Sequence, residues 1–297
     1  MSSNIVCIYH DKCLDGLASA AVVYGYFNGP GFDIEFVPAN YGDAPPDVTD
    51  KDVYIVDFSY SKETIISMAE KAKSIVILDH HKTAKEQLGD IHLANVAIRF
   101  DMSRSGAQVA WDYFNGSTSE RPIVIEHVAD RDLWKFENPL TKTFINYLRN
   151  CFNWSEEPIE LIKKMDSIIY ECSNTSTYKD RIKIGRMIED SYNRQVEQIV
   201  SRATIARISN IQCCMFNSPP EFISDAGHEL AKKHGVALGY YIDKDEVKFS
   251  LRGDGSVDVS KIAKKGGGGG HHDAAGFTSP LADGLDLIWL FEYSVKD

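Results

Sequence analysis

The sequence predicts an α/β fold: a doubly wound, mainly parallel sheet in an N-terminal domain, a linking helix and a smaller α/β C-terminal domain. Short apolar runs at 4–9, 53–56 and 75–78 alternate with helical segments. This alternation is typical of parallel strands covered by helices on both faces. A chain of 297 residues also exceeds the usual size of one domain, so we expect two.

The elements of the first domain follow in order along the chain. The run at 4–9 precedes a helix of small residues that opens at Gly16, and the run at 53–56 precedes the helical pattern SKETIISMAEKA. The run at 75–78 leads directly into the triplet Asp-His-His, and residues 101–172 have mostly helical patterns. We therefore assign residues 1–177 to the first domain.

A long polar helix, predicted over roughly 178–202, separates the two domains, and we assign 178–204 as the link. Residues 205–297 form the second domain, with strands expected at 211–216, 236–242 and 246–252 and helices at 224–234 and 258–264. A run of five glycines, Gly266 to Gly270, lies inside this domain and has more sequence to fold after it. This position favours an anion-binding loop over a flexible linker.

Charge and composition narrow the functional classes. Lys and Arg number 32 against 43 Asp and Glu, a net charge of −11 that does not suit a protein coating long duplex DNA. No apolar run reaches the roughly 18 residues of a membrane helix, and the N-terminus lacks the basic and apolar regions of a secretory signal. The six cysteines form no C-x-x-C pair, which suits reduced thiols. We expect a cytoplasmic protein with a small anionic substrate and no membrane partner.

Acids and histidines follow all three predicted strands of the first domain. They are His10, Asp11, Asp15, Asp57, Asp79, His80 and His81. The carboxyl ends of parallel strands meet at one edge of a sheet, so these side chains should converge. A single acid such as Asp15 often caps a helix, but three strand ends that carry such residues favour a metal site. Crowded carboxylates need a countercharge, and oxygen and imidazole ligands favour Mn²⁺ or Mg²⁺ over structural zinc.

Five motifs of the chain resemble those of the DHH phosphoesterase superfamily. They are HDKCLDG at 10–16, VDFS around Asp57, LDHH at 78–81, ADRD at 129–132 and GGGHHDAAGF at 268–277. The last resembles the GGGHxxAAG signature of the DHH-associated C-terminal domain. Their order and spacing fit over nearly the whole chain. The sequence is most similar to the short two-domain members, the nanoRNases and related small-nucleotide phosphodiesterases.

The resemblance implies roles at the metal centre. Asp57 would bridge two ions, His10 would bind the first, and the second would be completed by Asp15, His80 and Asp130. Asp79 would orient His80 and His81 would face the scissile phosphate, so both are assigned to catalysis. The expected ions are two Mn²⁺, with Mg²⁺ as the other choice; such a pair activates a water and stabilises a phosphoryl oxygen.

The C-terminal motif implies a phosphate-binding role. Arg252, His271 and the backbone of Gly268, Gly269 and Gly270 would hold the second phosphate of the substrate. Ser105 precedes a helix whose first N–H groups would either meet a phosphate or receive an ordinary helix cap.

Two positions leave alternatives open. The family commonly has an Asp where this chain has Cys13, so Cys13 is either a soft ligand or a small buried filler with Asp11 serving instead. Asp132 either caps the helix or pairs with Arg131, or touches metal or substrate.

The resemblance implies a metal-dependent phosphodiesterase that hydrolyses short linear oligonucleotides, especially dinucleotides such as pGpG or pApA, to mononucleotides. A cyclic mononucleotide phosphodiesterase acting on cAMP or cGMP is the main alternative. A non-catalytic nucleotide sensor is a third, and only the Cys13 departure supports it. Formation of a homodimer through the linking helix is left open.

Overall fold

The computed structural model describes residues 3–208 and 211–293. The chain divides into two compact units, of which the first ends at Glu189 and the second begins at Asp190. This division falls within one helix, α8, Thr175–Ser201, close to the helix predicted over roughly 178–202. Across the described ranges, no helix combines the length and the apolar composition that crossing a lipid bilayer requires.

The first unit is built on a five-stranded parallel sheet. Its strands are β1, Ser3–His10; β2, Phe32–Ala39; β3, Asp52–Val56; β4, Ser74–Asp79; and β5, Val96–Phe100. They lie in the order β2-β1-β3-β4-β5. The connecting and following helices are α1, Leu14–Phe27; α2, Lys62–Ala69; α3, Lys82–Leu88; α4, Gly106–Asn115; α5, Ile123–Asp132; α6, Thr141–Cys151; and α7, Pro158–Glu171. The predicted α/β class is confirmed.

Both faces of this sheet are buried, as expected for parallel strands. Along β1, Ile5 and Tyr9 pack in one cluster, with α1 and with α4 to α7. Val6 and Ile8 point to the opposite face and pack in a second cluster, with α2 and α3. The buried strands therefore appear in the sequence as continuous apolar runs, and three of the five were predicted from such runs.

The register of the three central strands aligns their ends. Tyr9 of β1 pairs with Val56 of β3, and Val56 pairs with Leu78 of β4. The next residue on each strand is therefore part of one row across the sheet, composed of His10, Asp57 and Asp79. This row brings together side chains that lie far apart in the sequence.

The second unit has a six-stranded mixed sheet in the order β10-β11-β9-β8-β7-β6. Its strands are β6, Thr204–Ile208; β7, Ile211–Asn217; β8, Val236–Asp243; β9, Glu246–Gly253; β10, Gly269–Gly270; and β11, Ala274–Pro280. Its helices are α9, Pro220–His234; α10, Val259–Lys265; and α11, Leu281–Tyr293. Among the strands described in this unit, only β7 and β8 pair in parallel.

The glycine run is an ordered part of this sheet. Gly269 and Gly270 pair with β11. A Cβ on Gly268 would lie 2.0 Å from the carbonyl oxygen of Gly276, and Gly270 has a φ of 138°. Side chains at these positions would collide with the neighbouring strand or strain the backbone. The backbone of the run therefore packs closely against the backbone of β11, whereas the sequence predicted only a loop.

Candidate active site

Three carboxylates surround the ring of His80 at the carboxyl edge of the parallel sheet. His80 Nε2 lies 3.1 Å from Asp57 Oδ1, 3.5 Å from Asp132 Oδ2 and 3.6 Å from Asp15 Oδ2. Asp15, His80 and Asp132 each offer a donor atom within 4.8 Å of the others. We call these three residues the His80 group.

A second set of donors lies on the other side of Asp57. Asp57 Oδ2 is 3.5 Å from Cys13 Sγ and 3.7 Å from His10 Nδ1. His10, Cys13 and Asp57 also offer donor atoms within 4.8 Å of one another, and we call them the Cys13 group. Asp57 Oδ1 thus faces the His80 group, and Asp57 Oδ2 faces the side chains of Cys13 and His10.

Local backbone geometry holds the carboxylates in place. Asp57 has a φ of 53°, a left-handed conformation that turns the chain sharply at the end of β3. The Asp15 carboxylate accepts hydrogen bonds from the first N–H groups of α4, from Gly106 at 2.6 Å and from Ala107 at 3.1 Å. Orphan donors at a helix start stabilise a negative charge, so α4 orients Asp15.

Asp79 organises the residues that follow β4. Its Oδ2 accepts a hydrogen bond from the Ser59 hydroxyl at 2.6 Å, and its Oδ1 accepts one from the His80 backbone N–H at 2.7 Å. The ring of His81 reaches the same Oδ1 through Nδ1, also at 2.7 Å. Asp79 therefore orients the His81 ring, whereas the resemblance assigned it to His80.

The site concentrates buried negative charge. Burial raises the pKa of Asp15 well above its ordinary value, and the charges of Asp57 and Asp132 add to the rise. Burial also favours protonation of Asp57, but the nearby imidazole of His10 and the hydrogen bond with His80 hold its pKa well below the usual range. Carboxylates packed in this way call for positive charge beyond the histidines, so the donor set fits divalent cations.

Two predicted ligands lie outside both groups. The Asp130 carboxylate accepts hydrogen bonds from the backbone N–H groups of Glu137, at 2.8 Å, and Asn138, at 3.1 Å, and from the Thr141 hydroxyl. Asp132, two residues later on α5, occupies the place expected for Asp130. Residues two apart point to different sides of a helix, so only one of them can face His80.

Asp11 is the other predicted ligand outside the groups. Its carboxylate accepts a hydrogen bond from the Asn40 side chain at 3.3 Å and lies 3.8 Å from Lys12 Nζ. Cys13 takes the position beside Asp57, and burial raises the pKa of its thiol. Of the two alternatives for this position, the structure therefore brings the thiol to the site.

Comparison with known protein families matches both parts of the chain to described domains. The family described as DHH family, N-terminal domain, matches residues 5–132, which include every member of both groups. The DHHA1 domain matches residues 216–289. The chain carries a DHH-family N-terminal domain. Its second unit carries the DHHA1 domain, so the two-domain resemblance is confirmed.

Similar proteins extend over nearly the whole DHH–DHHA1 chain. The uncharacterized protein R106 of Acanthamoeba polyphaga mimivirus is 27% identical over 301 residues, covering 91% of this chain and 66% of that protein, slightly less than two thirds of its length. The structure of exonuclease RecJ bound to manganese has a TM-score of 0.52 at 12% identity and covers 100% of this chain and 91% of RecJ. An exopolyphosphatase-related protein from Bacteroides fragilis has a TM-score of 0.50 at 12% identity, covering 97% and 91%. These structures share the fold.

Ser105 of the DHH domain is a helix cap. Its hydroxyl accepts a hydrogen bond from the Gln108 N–H at 3.4 Å, and the Gln108 side chain accepts one from the Ser105 N–H at 3.3 Å. This reciprocal capping box starts α4, the helix whose N–H groups bind Asp15. The structure thus gives Ser105 the capping role that the sequence left open, and contact with substrate stays a prediction.

The predicted phosphate-binding residues of the DHHA1 domain are well anchored. The Arg252 guanidinium donates to the Ser250 hydroxyl at 2.9 Å, the Leu251 carbonyl at 2.7 Å and the Ser224 hydroxyl at 2.7 Å. The His271 N–H donates to the Ala274 carbonyl at 2.7 Å, which closes the turn after Gly269 and Gly270. Their contact with a phosphate also stays a prediction.

One aromatic residue beside the DHH site is absent from the sequence predictions. Tyr41 follows β2, and its ring centroid lies 6.1 Å from that of His10 and 6.2 Å from that of His81. It packs on buried Phe58 at 5.2 Å but remains 53% exposed. Its position two residues after the end of a strand could have indicated it, but β2 was not among the predicted strands.

Proposed function

We propose that this chain is a metal-dependent phosphodiesterase that hydrolyses short linear oligonucleotides, especially dinucleotides such as pGpG or pApA, to mononucleotides. The observation that carries the proposal is the position of Asp57, whose two oxygens face two separate groups of metal-type donors. The DHH-family N-terminal domain supports the reaction class.

The donor groups suit two divalent cations with Asp57 between them. The His80 group would hold one ion and the Cys13 group the other. When bound, such a pair supplies a water nucleophile of lowered pKa and neutralises charge on the phosphoryl oxygens. Mn²⁺ is the cation we propose for the oxygen-rich His80 group, with Mg²⁺ as the alternative. The manganese in the structure of RecJ, which shares the fold, is in keeping with this choice.

His81 is proposed to act on the scissile phosphate. Burial disfavours its charged form, but the adjacent Asp79 carboxylate outweighs burial and raises the pKa of His81 above its ordinary value. Nδ1 contacts Asp79, so the ring nitrogen proposed to meet the substrate is Nε2. A protonated Nε2–H can donate to a phosphoryl oxygen or give its proton to the departing ribose oxygen.

The DHHA1 domain is proposed to bind the terminal phosphate of a linear substrate. The guanidinium of Arg252 is fixed by Ser250 and Ser224, and a planar guanidinium binds phosphate through two parallel hydrogen bonds. Backbone N–H groups of Gly268 to Gly270, together with His271, would complete the contact. Cyclic mononucleotides lack a terminal phosphate, so this assignment favours linear substrates. The net charge of −11 also suits a small substrate better than long duplex DNA.

Product analysis by chromatography tests the activity. The protein and an Asp57→Asn variant are incubated with Mn²⁺ and a panel of pGpG, pApA, a five-nucleotide RNA, cAMP, cGMP and pyrophosphate. We expect the dinucleotides to yield mononucleotides fastest and the variant to be inactive. Hydrolysis of cAMP or cGMP alone would replace the proposal with the cyclic-nucleotide activity. Retained nucleotide binding with no turnover, when metal analysis shows bound cations, would favour the sensor.

A second comparison tests the phosphate-binding assignment. Arg252→Met should raise KM for pGpG while leaving KM for GpG, which lacks the 5′-phosphate, unchanged. Arg207→Met, an exposed arginine on β6, is the matched control and should change neither value. An equal effect of Arg252→Met on both substrates would contradict recognition of the terminal phosphate.

A further inference from the structure

The two donor groups that share Asp57 differ in chemical softness. The His80 group offers two carboxylates and one imidazole, in addition to Asp57. The Cys13 group offers a sulfur, an imidazole nitrogen and a carboxylate oxygen. Cations that prefer one set are not those that prefer the other, because carboxylates suit Mn²⁺ and Mg²⁺ whereas thiolates suit softer ions.

The position of Cys13 leaves its sulfur directed at the site. Cys13 is the N-cap residue of α1, yet its side chain makes no capping hydrogen bond. Instead, Sγ lies 3.5 Å from Asp57 Oδ2, the oxygen that also faces His10 Nδ1 at 3.7 Å. Asp11 would have given this group a second carboxylate instead of a sulfur, but its carboxylate accepts a hydrogen bond from Asn40. Sulfur is therefore the third donor beside His10 and Asp57.

We propose that Cys13 is a thiolate ligand that makes the Cys13 group selective for a borderline-soft divalent cation, of the class of Zn²⁺, Fe²⁺ or Co²⁺. The His80 group would keep a hard cation, Mn²⁺ or Mg²⁺, so the loaded centre holds two different metals. The inference rests on the proposed two-metal function. Its test reads metal ligation directly, so the two can fail separately.

Cobalt is the probe for the thiolate. Metal-free protein is titrated with Co²⁺, because a thiolate bound to Co²⁺ gives a charge-transfer absorption band in the near ultraviolet. We expect this band in the wild-type protein and its loss in Cys13→Ser and Cys13→Asp. Cys151→Ser is the matched control: it removes a half-buried thiol on α6, outside both groups, and should leave the band unchanged. A wild-type protein without the band, or a band that survives in both Cys13 variants, overturns the proposal.

Competition between cations tests the selectivity. Protein equilibrated with one equivalent of Zn²⁺ per chain and a large excess of Mn²⁺, then desalted, should carry one of each metal by elemental analysis. Nitrogen and oxygen sites also bind Zn²⁺ more tightly than Mn²⁺, so Cys13→Asp should still prefer Zn²⁺, but by roughly tenfold or more less than the wild type. Two Mn²⁺ on the wild-type chain would overturn the proposal.

Turnover separates this inference from the proposed function. A cobalt band with no hydrolysis of pGpG would leave the thiolate assignment standing and reject the phosphodiesterase. Hydrolysis of pGpG by a protein without the band would do the reverse. The wild-type and Cys13→Ser spectra carry the test if Cys13→Asp does not fold, which circular dichroism checks.

Discussion

The Nδ1 atom of His81 lies 2.7 Å from Oδ1 of Asp79. This contact fixes the ring of His81, and the buried carboxylate favours its protonated form. The chemistry proposed for His81 thus depends on a neighbour that need not touch the substrate itself.

Replacing Asp79 with Asn should therefore act through His81. Asn keeps the shape but removes the charge, so we expect kcat to fall by about 10- to 100-fold with little change in KM. Because the carboxylate raises the pKa of His81, the alkaline limb of the pH profile of kcat should move to lower pH. Ser59→Ala, which removes one partner of Asp79 and no charge, should have a smaller effect. An unmoved limb would show that Asp79 does not act through this pKa.

Substitution of Asp132 should affect metal binding, whereas substitution of Asp130 should affect stability. Asp132→Asn removes a donor of the His80 group and should reduce both bound Mn²⁺ and activity. Asp130→Asn weakens three hydrogen bonds around the start of α6 and should lower the urea midpoint while retaining kcat. Metal analysis, kinetics and urea unfolding of both variants are the measurements. Loss of bound metal in Asp130→Asn but not in Asp132→Asn would show that Asp130 is the metal ligand.

Gly106→Ala should displace Asp57. The added Cβ would lie 2.6 Å from Asp57 Cβ, closer than such atoms approach, so one of the two must shift. We expect a loss of about 1–3 kcal/mol in the free energy of unfolding and a large fall in activity. In Gly29→Ala the new Cβ meets nothing within 4 Å, so this control should stay within about 0.5 kcal/mol of wild type. Equal results for the two variants would count against crowding at Asp57.

His127 should make stability fall in mild acid. Its ring is buried between the Thr141 hydroxyl, at 2.9 Å, and the Tyr178 hydroxyl, at 2.8 Å, and burial lowers its pKa to about 4 from 6.5. The unfolded chain therefore binds a proton first, and stability is lost as pH falls from about 6.5 to about 4. The full loss is on the order of 3 kcal/mol.

Urea unfolding across this pH window measures the effect. His127→Gln cannot titrate, so its free energy of unfolding should depend less on pH than that of the wild type, even if it is lower overall. Metal-free samples of both proteins keep cation binding out of the comparison. Parallel pH dependences would exclude His127 as the source.

Tyr41 should contribute to substrate affinity. Its exposed ring lies beside His10 and His81, where, under the proposed function, it can stack on a nucleobase of the substrate. Stacking of a base on an aromatic ring is worth about 1–3 kcal/mol, so Tyr41→Ala should raise KM by about tenfold or more. Tyr41→Phe keeps the ring and should behave like wild type. A fall in kcat at constant KM would argue against stacking.

The central strands and their convergence were predictable from the sequence. Buried parallel strands are apolar on both faces, and the polar residues that follow them must meet at one edge of the sheet. The edge strands were not found because their patterns are weaker. In β2, the exposed Asp33 and Glu35 interrupt the apolar residues and Pro38 lies near the end, and β5 is partly exposed along its whole length. Strand β11 lies inside the second sheet and was missed for another reason: it contains mainly small residues.

The choice between neighbouring acids was not predictable. Asp130 and Asp132 lie on the same helix, and only the rotation of α5 against the sheet decides which one faces His80. That rotation is set by packing against α4 and α6, which a local motif does not contain. The same holds for Asp11 and Cys13, which the turn after β1 directs to different partners.

Three residues of the site, His10, Asp57 and Asp79, stand at or just past the ends of β1, β3 and β4. Nothing inside these strands takes part in the chemistry, so one apolar side chain can replace another there at modest cost when its volume is similar. Insertion or deletion of one residue within β3 is a different kind of change. It would shift Asp57 out of line with its neighbours and turn the strand over. The alignment of the site residues thus depends on the lengths of these strands. Mutational scans of this domain should tolerate apolar substitutions within the strands but not insertions or deletions.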